Sequence, residues 1–201
     1  TGDAKLLEAK GITYLGSFHN GFRQLTNSKH PVTKPEDLKD LKIRVPGSAV
    51  YMGVFNALGA SPTAMSWSEV FTAIQQKTID GQENGCSVTK SAKMDEIQQY
   101  MTIWNYSYEN DLFVANSRVW ESLDENTRQL LQECATESCE WGRDHLEAEE
   151  DQLIQGFMDS GMQVDILTED QLQAFKDAVA GVTAELKTEY GEDACAAFGI
   201  N

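Results

Sequence analysis

Arg44 is the residue whose type and position most directly suggest chemistry in this sequence. It lies near the carboxyl end of a short predicted strand, KIRVP (residues 42–46), which Pro46 ends. In open α/β sheets ligands bind outside the carboxyl ends of the strands, and a guanidinium placed there can hold a carboxylate through two parallel hydrogen bonds. The chain also contains 32 Asp and Glu residues. A salt bridge within the protein is therefore an equal alternative on position alone.

The stretch IDGQENGCS (residues 79–87) interrupts the pattern of the amphipathic helix that precedes it. It places acids, amides and two glycines within six positions, Asp80–Gly85. We predict a turn here, because glycine permits the positive φ that a sharp reversal of the chain needs. On the residues alone, Asp80 and Asn84 are best interpreted as stabilising this turn through bonds from side chain to backbone.

Motifs of the common enzyme classes are missing from the chain. It has no GxSxG, GxxxxGK[ST] or HExxH, and no GxGxxG after a strand. Its three histidines, His19, His30 and His145, are far apart and are interpreted as surface or hydrogen-bonded residues. The acidic run EAEED (147–151) lacks the turning loop of a calcium site and is interpreted as a solvated helix face. We predict no catalysis, no metal site and no cofactor.

The four cysteines are too few to indicate a disulfide scaffold. Cys134 and Cys139 lie five residues apart on a predicted helix, which turns them about 140° apart and separates their Cα atoms by about 8 Å. They cannot bond to each other in that arrangement. A bridge between Cys86 and Cys195 and two free, packed thiols both remain open.

Charge and hydropathy exclude two classes of partner. The formal net charge is -16, which repels nucleic acid and anionic lipid, so we predict no nucleic-acid binding. No apolar run reaches the roughly 18 residues that a membrane-spanning helix needs. Thr1 is not an initiator methionine, so the chain is interpreted as starting at a cleavage or truncation point.

The order of elements predicts an α/β protein with a mainly parallel sheet. Strands are expected at residues 11–18, 42–46, 101–108, 111–116 and 162–167. Helices are expected after Pro35, at about 48–58 with Gly59 as the stop, from Trp67 to about Lys77 behind a capping box of Ser66 and Glu69, and at about 88–100. A further helix follows the capping pair Thr168 and Gln171 and runs to about Tyr190.

One predicted helix is unusually long. Its periodicity runs without proline from Asp124, a good N-cap, to about Ser160. This length corresponds to roughly 54 Å, more than the width of a small domain. We therefore expect this helix to bridge two lobes.

Several motifs together resemble one protein family. NGFRQ (20–24), KPEDLKDLKIRVP (34–46), ALGASPTAMSWSEVFTAIQQKTIDGQEN (57–84) and LFVANSRVWESL (112–123) resemble, in order and spacing, the DctP-like solute-binding proteins of TRAP (tripartite ATP-independent periplasmic) transporters. The resemblance covers essentially the whole chain. Mature members of the family are about half as long again, so it implies that an N-terminal portion is missing.

The resemblance implies a two-lobed fold of the periplasmic-binding-protein type, present here as most of the second lobe and part of the first. Residues 1–20 would end lobe I, residues 21–109 would form lobe II, residues 110–150 would return to lobe I with the start of the long helix, and residues 151–201 would complete lobe II. If the chain truly starts at Thr1, apolar surface around residues 110–150 would be exposed and would favour self-association.

The resemblance also implies roles for individual residues in binding a substrate. Arg44 would pair with the substrate carboxylate, Arg23 would assist it, and Asn84 would form a hydrogen bond to the substrate. The remaining implied contacts are an aromatic wall, a pocket-lining residue and two more weakly aligned tyrosines: Trp67, Ser48, Tyr106 and Tyr108.

Departures from the family pattern concern the substrate more than the function. Gly85 and Cys86 stand where the family usually has proline and a small residue, and Trp67 is bulkier than the commoner phenylalanine. The spacing from Arg23 to Arg44 differs by a one-residue insertion. A C4-dicarboxylate, keto acid, sugar acid or aromatic acid all fit, with Trp67 favouring a flat or bulky apolar portion.

The function implied is a receptor outside the cytoplasm, periplasmic or extracellular, that captures a small organic carboxylate and delivers it to TRAP membrane permease subunits. The missing N-terminus could tether it to a membrane. The alternative is a truncated ligand-sensing or interaction domain that regulates a partner.

Overall fold

The structure is a computed structural model that describes residues 6–191. Within these residues the strands form one six-stranded sheet in the order β3-β2-β4-β1-β5-β6. Their bounds are β1 (Ile12–Asn27), β2 (Ile43–Val45), β3 (Thr63–Ala64), β4 (Gly81–Asn84), β5 (Tyr100–Asn116) and β6 (Gln163–Ile166).

Helices flank this sheet. They are α1 (Ala49–Ala57), α2 (Trp67–Gln75), α3 (Cys86–Ser91), α4 (Ser117–Glu121), α5 (Glu125–Asp159), α6 (Glu169–Ala178) and α7 (Ala180–Tyr190), with 3-10 turns at Pro35–Leu38 and Met94–Glu96. The α/β class predicted from the sequence is confirmed, but the sheet is mixed rather than mainly parallel. The central strand β1 is antiparallel to both of its neighbours, β4 and β5, whereas β2 is parallel to β3 and β4, and β5 is parallel to β6.

Strands β1 and β5 are longer than the sequence predicts. The strand expected at residues 11–18 continues to Asn27, and the two strands expected at 101–108 and 111–116 are one. The pair stays continuous because irregularities at three places, between Tyr14 and Gly16, His19 and Phe22, and Arg23 and Leu25, absorb the bends that would otherwise end it.

The predicted turn at residues 80–85 is wrong. Gly81–Asn84 is a buried strand, β4, between β1 and β2, and neither Gly81 nor Gly85 has a positive φ. A Cβ on Gly81 would lie 2.3 Å from the carbonyl oxygen of Thr26. This glycine is therefore required for close approach of two strands and not for chain reversal.

Most of the residues predicted to begin or end a helix do so in the structure. Asp124 accepts a hydrogen bond from the Thr127 backbone at 3.0 Å and begins the 35-residue helix α5, as predicted. Gly59, at φ 80°, follows the end of α1, and the predicted capping box of Thr168 and Gln171 is confirmed. Ser66 precedes α2, but its side chain caps nothing and instead bonds Ser68 at 3.2 Å. The predicted capping box there is wrong.

Two predicted helices are each divided. The helix expected at residues 88–100 is the short α3 followed by a 3-10 turn, because Lys93 adopts a left-handed conformation with φ 56°. The C-terminal helix is split into α6 and α7 at Val179, whose ψ of 6° departs from helical geometry.

The largest buried cluster lies between one face of the sheet and helices α1 and α6. It contains Leu25, Ile43, Val45, Phe55 and Trp104, with Phe175 from α6. A second cluster lies beneath α2, and a third joins β5 to the end of α5 through Phe157. Since Ile43 and Val45 face the largest cluster, alternation along β2 points Arg44 to the opposite face of the sheet.

Cys134 and Cys139, on α5, are free thiols, one exposed and one buried. Cys86 is buried, and burial, together with the charge of Glu150, raises the pKa of its thiol to about 12. Cys195 lies outside the described residues, and so does the bridge considered for it.

Within residues 6–191, no helix combines the length and the apolar character that a membrane crossing requires. The same residues include no cluster of three or more His, Cys, Asp or Glu side chains that could hold a metal ion.

Candidate functional site

Arg44 is buried but has no acidic partner among residues 6–191. Its residue exposure is 5%. The one hydrogen bond that its side chain makes within the described chain runs from Nε to the carbonyl oxygen of Met65, at 3.0 Å. The guanidinium carbon lies 5.2 Å from the centroid of the Trp67 ring, a distance typical of a cation–π contact. The Nη groups therefore remain available as a planar pair of donors.

Burial has an electrostatic consequence for Arg44. Desolvation lowers the pKa of its guanidinium, the charge of Glu83 opposes that effect, and the charge of Arg23 adds to it. An anion bound at Arg44 would relieve the cost of holding this charge away from water.

Asn84 lies on the same side of the sheet as Arg44. Arg44 is paired with Gln82 across β2 and β4, and Asn84 stands two residues further along β4, about 7 Å away on the same face. Its Oδ1 accepts a hydrogen bond from the Gly85 backbone at 3.0 Å. Its amide nitrogen donates to no other described residue, so it is free to bond a ligand.

Arg23, in contrast, is engaged by two carboxylates. Its Nε donates to Glu83 Oε2 at 2.5 Å, its Nη2 donates to Glu83 Oε1 at 3.0 Å and to the Glu83 carbonyl at 2.8 Å, and its Nη1 donates to Glu109 Oε1 at 2.5 Å. Burial opposes the charged form, but the hydrogen bonds and charge of Glu83, followed by the charge of Glu109, raise the pKa of Arg23 above its usual value.

Glu83 joins Arg23 to Tyr106. The side chain of Glu83 is fully buried, and its Oε2 also accepts a hydrogen bond from the Tyr106 hydroxyl. Burial and the charge of Glu83 raise the pKa of Tyr106 well above its usual value. The network thus ties together β1, β4 and β5.

Glu83 and Glu109 are residues that the sequence analysis did not single out. Glu83 lies within the DGQEN segment that carried the family resemblance. A search of that segment for a partner to an arginine could have found it. Glu109 follows the NYSY segment, and no local signal marks it.

Ser48 and Tyr108, which were also predicted to bind substrate, make contacts of other kinds. The Ser48 hydroxyl accepts a hydrogen bond from the Val50 backbone at 3.3 Å and caps α1. Tyr108 is exposed, stacks on His19 at 4.9 Å between ring centroids and meets Phe22 edge-on at 5.5 Å. The structure thus brings Arg44 together with Trp67 and Asn84, and Arg23 with Tyr106. Among the described residues, no side-chain hydrogen bond or cation–π contact joins Tyr108 to either arginine.

Asp80 has a structural role in this region. Its side chain accepts a hydrogen bond from the Lys42 backbone at 3.0 Å and pairs with Lys29 at 3.2 Å. The interpretation that Asp80 stabilises its own turn is wrong, because its side chain bonds the backbone of Lys42, 38 residues away, and Gly81–Asn84 is a strand.

Residues 4–189 match the family described as DctP, bacterial extracellular solute-binding protein, family 7. The chain belongs to this family. The resemblance stated from the sequence motifs is therefore confirmed.

Members of family 7 with curated names are similar over most of this chain. The chain is 33% identical over 180 residues to the 2,3-diketo-L-gulonate-binding periplasmic protein of Escherichia coli, covering 90% of this chain and 54% of that protein. It is 33% identical over 192 residues to the C4-dicarboxylate-binding periplasmic protein DctP of Rhodobacter capsulatus, covering 95% of this chain and 57% of that protein. The chain thus spans little more than half the length of these relatives.

A solved structure of a TRAP periplasmic solute-binding protein has the same fold. The TRAP periplasmic solute-binding protein of Ralstonia eutropha, solved with bound (S)-2-acetolactate, superimposes with a TM-score of 0.91 at 35% identity. The match covers 94% of this chain and 62% of that structure. Part of the family fold is therefore present in this chain.

Proposed function

We propose that this chain is part of a receptor outside the cytoplasm that captures a small organic carboxylate and delivers it to a TRAP-type transporter. The observation that carries the proposal is Arg44, a buried guanidinium with no acidic partner in the described chain and an aromatic ring beside it. Burying a carboxylate costs several kcal/mol unless it is paired. Arg44 supplies the pairing charge and two parallel donors, and the Asn84 amide supplies a third.

The named relatives support this proposal. Two are named for the acids they bind, 2,3-diketo-L-gulonate and C4-dicarboxylates, and both are periplasmic. By extension from them, this protein is a binding protein and not an enzyme, works in the periplasm or outside the cell, and passes its ligand to permease subunits. A membrane tether through residues preceding the chain belongs to the same proposal. The relatives offer no support for the alternative of a partner-regulating domain.

An exposed apolar face supports the proposed division into lobes. A groove of about 800 Å³ lies between β1, β5 and the middle of α5, lined by Phe18, Phe113, Trp141 and Leu146 among others. Leu112 and Val114 on β5 are also exposed. Exposed apolar surface of this kind marks an interaction site.

We propose that the remainder of lobe I covers this groove in the complete protein. Residues 1–20 and 110–150 then belong to lobe I, and residues 21–109 and 151–201 to lobe II. We expect this chain to self-associate through the groove only when the remainder of lobe I is absent.

Ligand capture then requires closure of the two lobes. A ligand stabilises the closed form only to the extent that it binds that form more tightly than the open one. Arg44, Trp67 and Asn84 are the contacts that lobe II contributes. The other lobe contributes contacts from the part of the fold that this chain does not contain.

The test is the substitution Arg44→Ala in the full-length protein. A thermal-shift screen against organic acids first identifies a ligand, and titration calorimetry then compares the two proteins. We expect at least a tenfold loss of affinity, about 1.4 kcal/mol, because the ligand carboxylate loses its buried partner. Arg143→Ala removes an exposed arginine and should leave affinity unchanged. A loss smaller than tenfold for Arg44→Ala would show that the guanidinium does not hold the carboxylate.

A further inference from the structure

A cavity lies on the side of the sheet away from Arg44. It has a volume of about 440 Å³ and lies between helices α1, α6 and α7 and strand β5. Leu58, Trp104 and Phe175 line it, and all three belong to the largest buried cluster. Arg44 points to the opposite face of the sheet, so this cavity is separate from the candidate carboxylate site. Its volume falls within the roughly 300–1,000 Å³ of small-molecule sites.

The walls of this cavity are mostly apolar. Helices α1 and α6, and the residue that joins α6 to α7, supply aliphatic and aromatic side chains: Val54, Leu58, Leu172, Phe175 and Val179. Each of these residues is buried or half-buried. The free energy of moving an apolar group from water into such surroundings is favourable and roughly proportional to the area removed from water. The apolar part of a ligand would therefore supply most of its affinity here.

Aromatic rings form another part of the lining. Trp104 and Tyr106 have ring centroids 4.7 Å apart and planes inclined at 41°, and Phe175 meets Trp104 edge-on at 5.2 Å. Aromatic rings favour offset and edge-to-face contacts with a further ring. A ligand with a flat aromatic ring therefore fits this lining better than an open, hydroxylated chain.

Two polar side chains of the lining keep donors that no described residue uses. Lys176 and Asn105 are both exposed. The Lys176 ammonium makes no salt bridge or hydrogen bond within residues 6–191. Asn105 Oδ1 accepts a hydrogen bond from Gln24 at 2.5 Å, but the Asn105 amide nitrogen donates to nothing in the described chain. An ammonium and an amide nitrogen offer donors only, so they favour a ligand group that accepts hydrogen bonds.

The charge of the lining is positive. Among the described residues that line the cavity, Lys176 alone carries a charge, and none is Asp or Glu, although the chain contains 32 acidic residues. A ligand carboxylate at Lys176 would therefore gain a cation without meeting an acid of the lining. Exposed ion pairs contribute modestly because water screens them. The charge thus selects the class of ligand, and the apolar walls supply the affinity.

We propose that this cavity is a second ligand site, which takes a small aromatic monocarboxylate. The aromatic ring lies among the apolar side chains, and the carboxylate lies beside Lys176 and Asn105. This inference goes beyond the proposed function, because Arg44, Trp67 and Asn84 take no part in it.

The experiment uses phenylacetate as the probe and the uncharged phenylacetamide as its matched comparison. NMR titration of the full-length protein, with isotope-labelled methyl groups, gives Kd for each compound. We expect phenylacetate to bind saturably, with a Kd of about 1 mM or lower, and about threefold or more tightly than the amide. Intermolecular NOEs should join its ring protons to the methyl groups of Val54, Leu172 and Val179.

Variants then assign the carboxylate to Lys176. Lys176→Glu should raise the Kd of phenylacetate about fivefold or more, because an acid replaces the cation. Lys10→Glu makes the same change of net charge at an exposed position outside the lining and should leave this Kd unchanged. Arg44→Ala should leave it unchanged as well, because the two sites are separate. Circular dichroism and thermal unfolding check that each variant is folded.

The outcomes separate this inference from the proposed function. The inference would be overturned by the absence of saturable binding with NOEs to the cavity, by equal Kd values for the acid and the amide, or by an unchanged Kd in folded Lys176→Glu. Loss of phenylacetate binding in Arg44→Ala would also contradict it, since the probe would then occupy the carboxylate site. The proposed function is tested separately, with the acid that the wider screen identifies. Should Lys176→Glu not fold, Lys176→Ala replaces it, and an unchanged Kd there contradicts the inference.

Discussion

At the scale of single residues, the two arginines predicted to bind substrate have different surroundings. Arg23 is held by Glu83 and Glu109, whereas Arg44 has one backbone acceptor and an aromatic ring. A guanidinium with satisfied donors stabilises the protein around it. One with free donors can bind a ligand, and this difference is the reason that we propose Arg44 as the anchor of the candidate site.

The substitution Arg44→Lys tests whether geometry or charge alone matters at this position. Lysine keeps the positive charge but loses the planar pair of donors and the stacking on Trp67. We expect Arg44→Lys to reduce the binding free energy for the identified acid. The reduction should be at least half of that caused by Arg44→Ala. Calorimetry on both variants measures this. Wild-type affinity in the lysine variant would mean that a nearby positive charge is sufficient.

At the scale of elements, β4 connects the candidate site to the core. Glu83 faces Arg23 and the largest buried cluster, while Gln82 and Asn84 face the opposite side with Arg44. One short, buried strand thus supplies both the carboxylate that anchors Arg23 and the Asn84 amide beside Arg44. It can do so because Gly81 allows β4 to lie directly against β1.

Gly81→Ala should therefore destabilise the protein. The new Cβ would lie 2.3 Å from Thr26 O and 2.9 Å from Asn27 Cβ, so β1 and β4 would have to separate, at a cost of about 1–3 kcal/mol. Gly156→Ala is the matched control, because a Cβ there meets nothing within 4 Å and alanine favours a helix by up to about 1 kcal/mol. Urea unfolding compares the two. Equal stability of Gly81→Ala and wild type would contradict the close approach of the strands.

At the scale of the whole molecule, the apolar groove beside α5 bears on the proposed division into lobes. The chain spans 54% and 57% of the two named relatives. The groove lies on residues that the proposed division assigns to lobe I. Our proposal is that the remainder of lobe I covers its apolar side chains.

Trp141 should accordingly be protected in the full-length protein. Its exposure is 66% in this chain, against 57% for Tyr190 on α7. Hydroxyl-radical footprinting with mass-spectrometric detection compares the modification rate of each side chain with its value in unfolded protein. We expect Trp141 to be strongly protected and Tyr190 to remain reactive. Comparable reactivity of the two would show that the groove is not covered by the rest of lobe I.

Features that depend on neighbouring residues were determined by the sequence itself. The Asp124 and Thr168 caps begin their helices where predicted, Gly59 follows the end of α1, and Arg44 lies on a short strand that Pro46 follows. The motifs between residues 20 and 123 were sufficient to identify the family. The caps and the stop signals act over a few neighbouring residues, and the family motifs are recognised from the order of residues. Neither kind of signal depends on contacts between distant parts of the chain.

Only the tertiary structure decided which segments pair. Residues 80–85 look like a turn in isolation, and they form a strand because β1 and β2 are on either side of them. Arg23 meets Glu83 across 60 residues and Glu109 across 86, and no local pattern predicts either contact. Whether a buried charge is neutralised or left for a ligand depends on such distant partners, because electrostatic pairing acts through space and not along the chain.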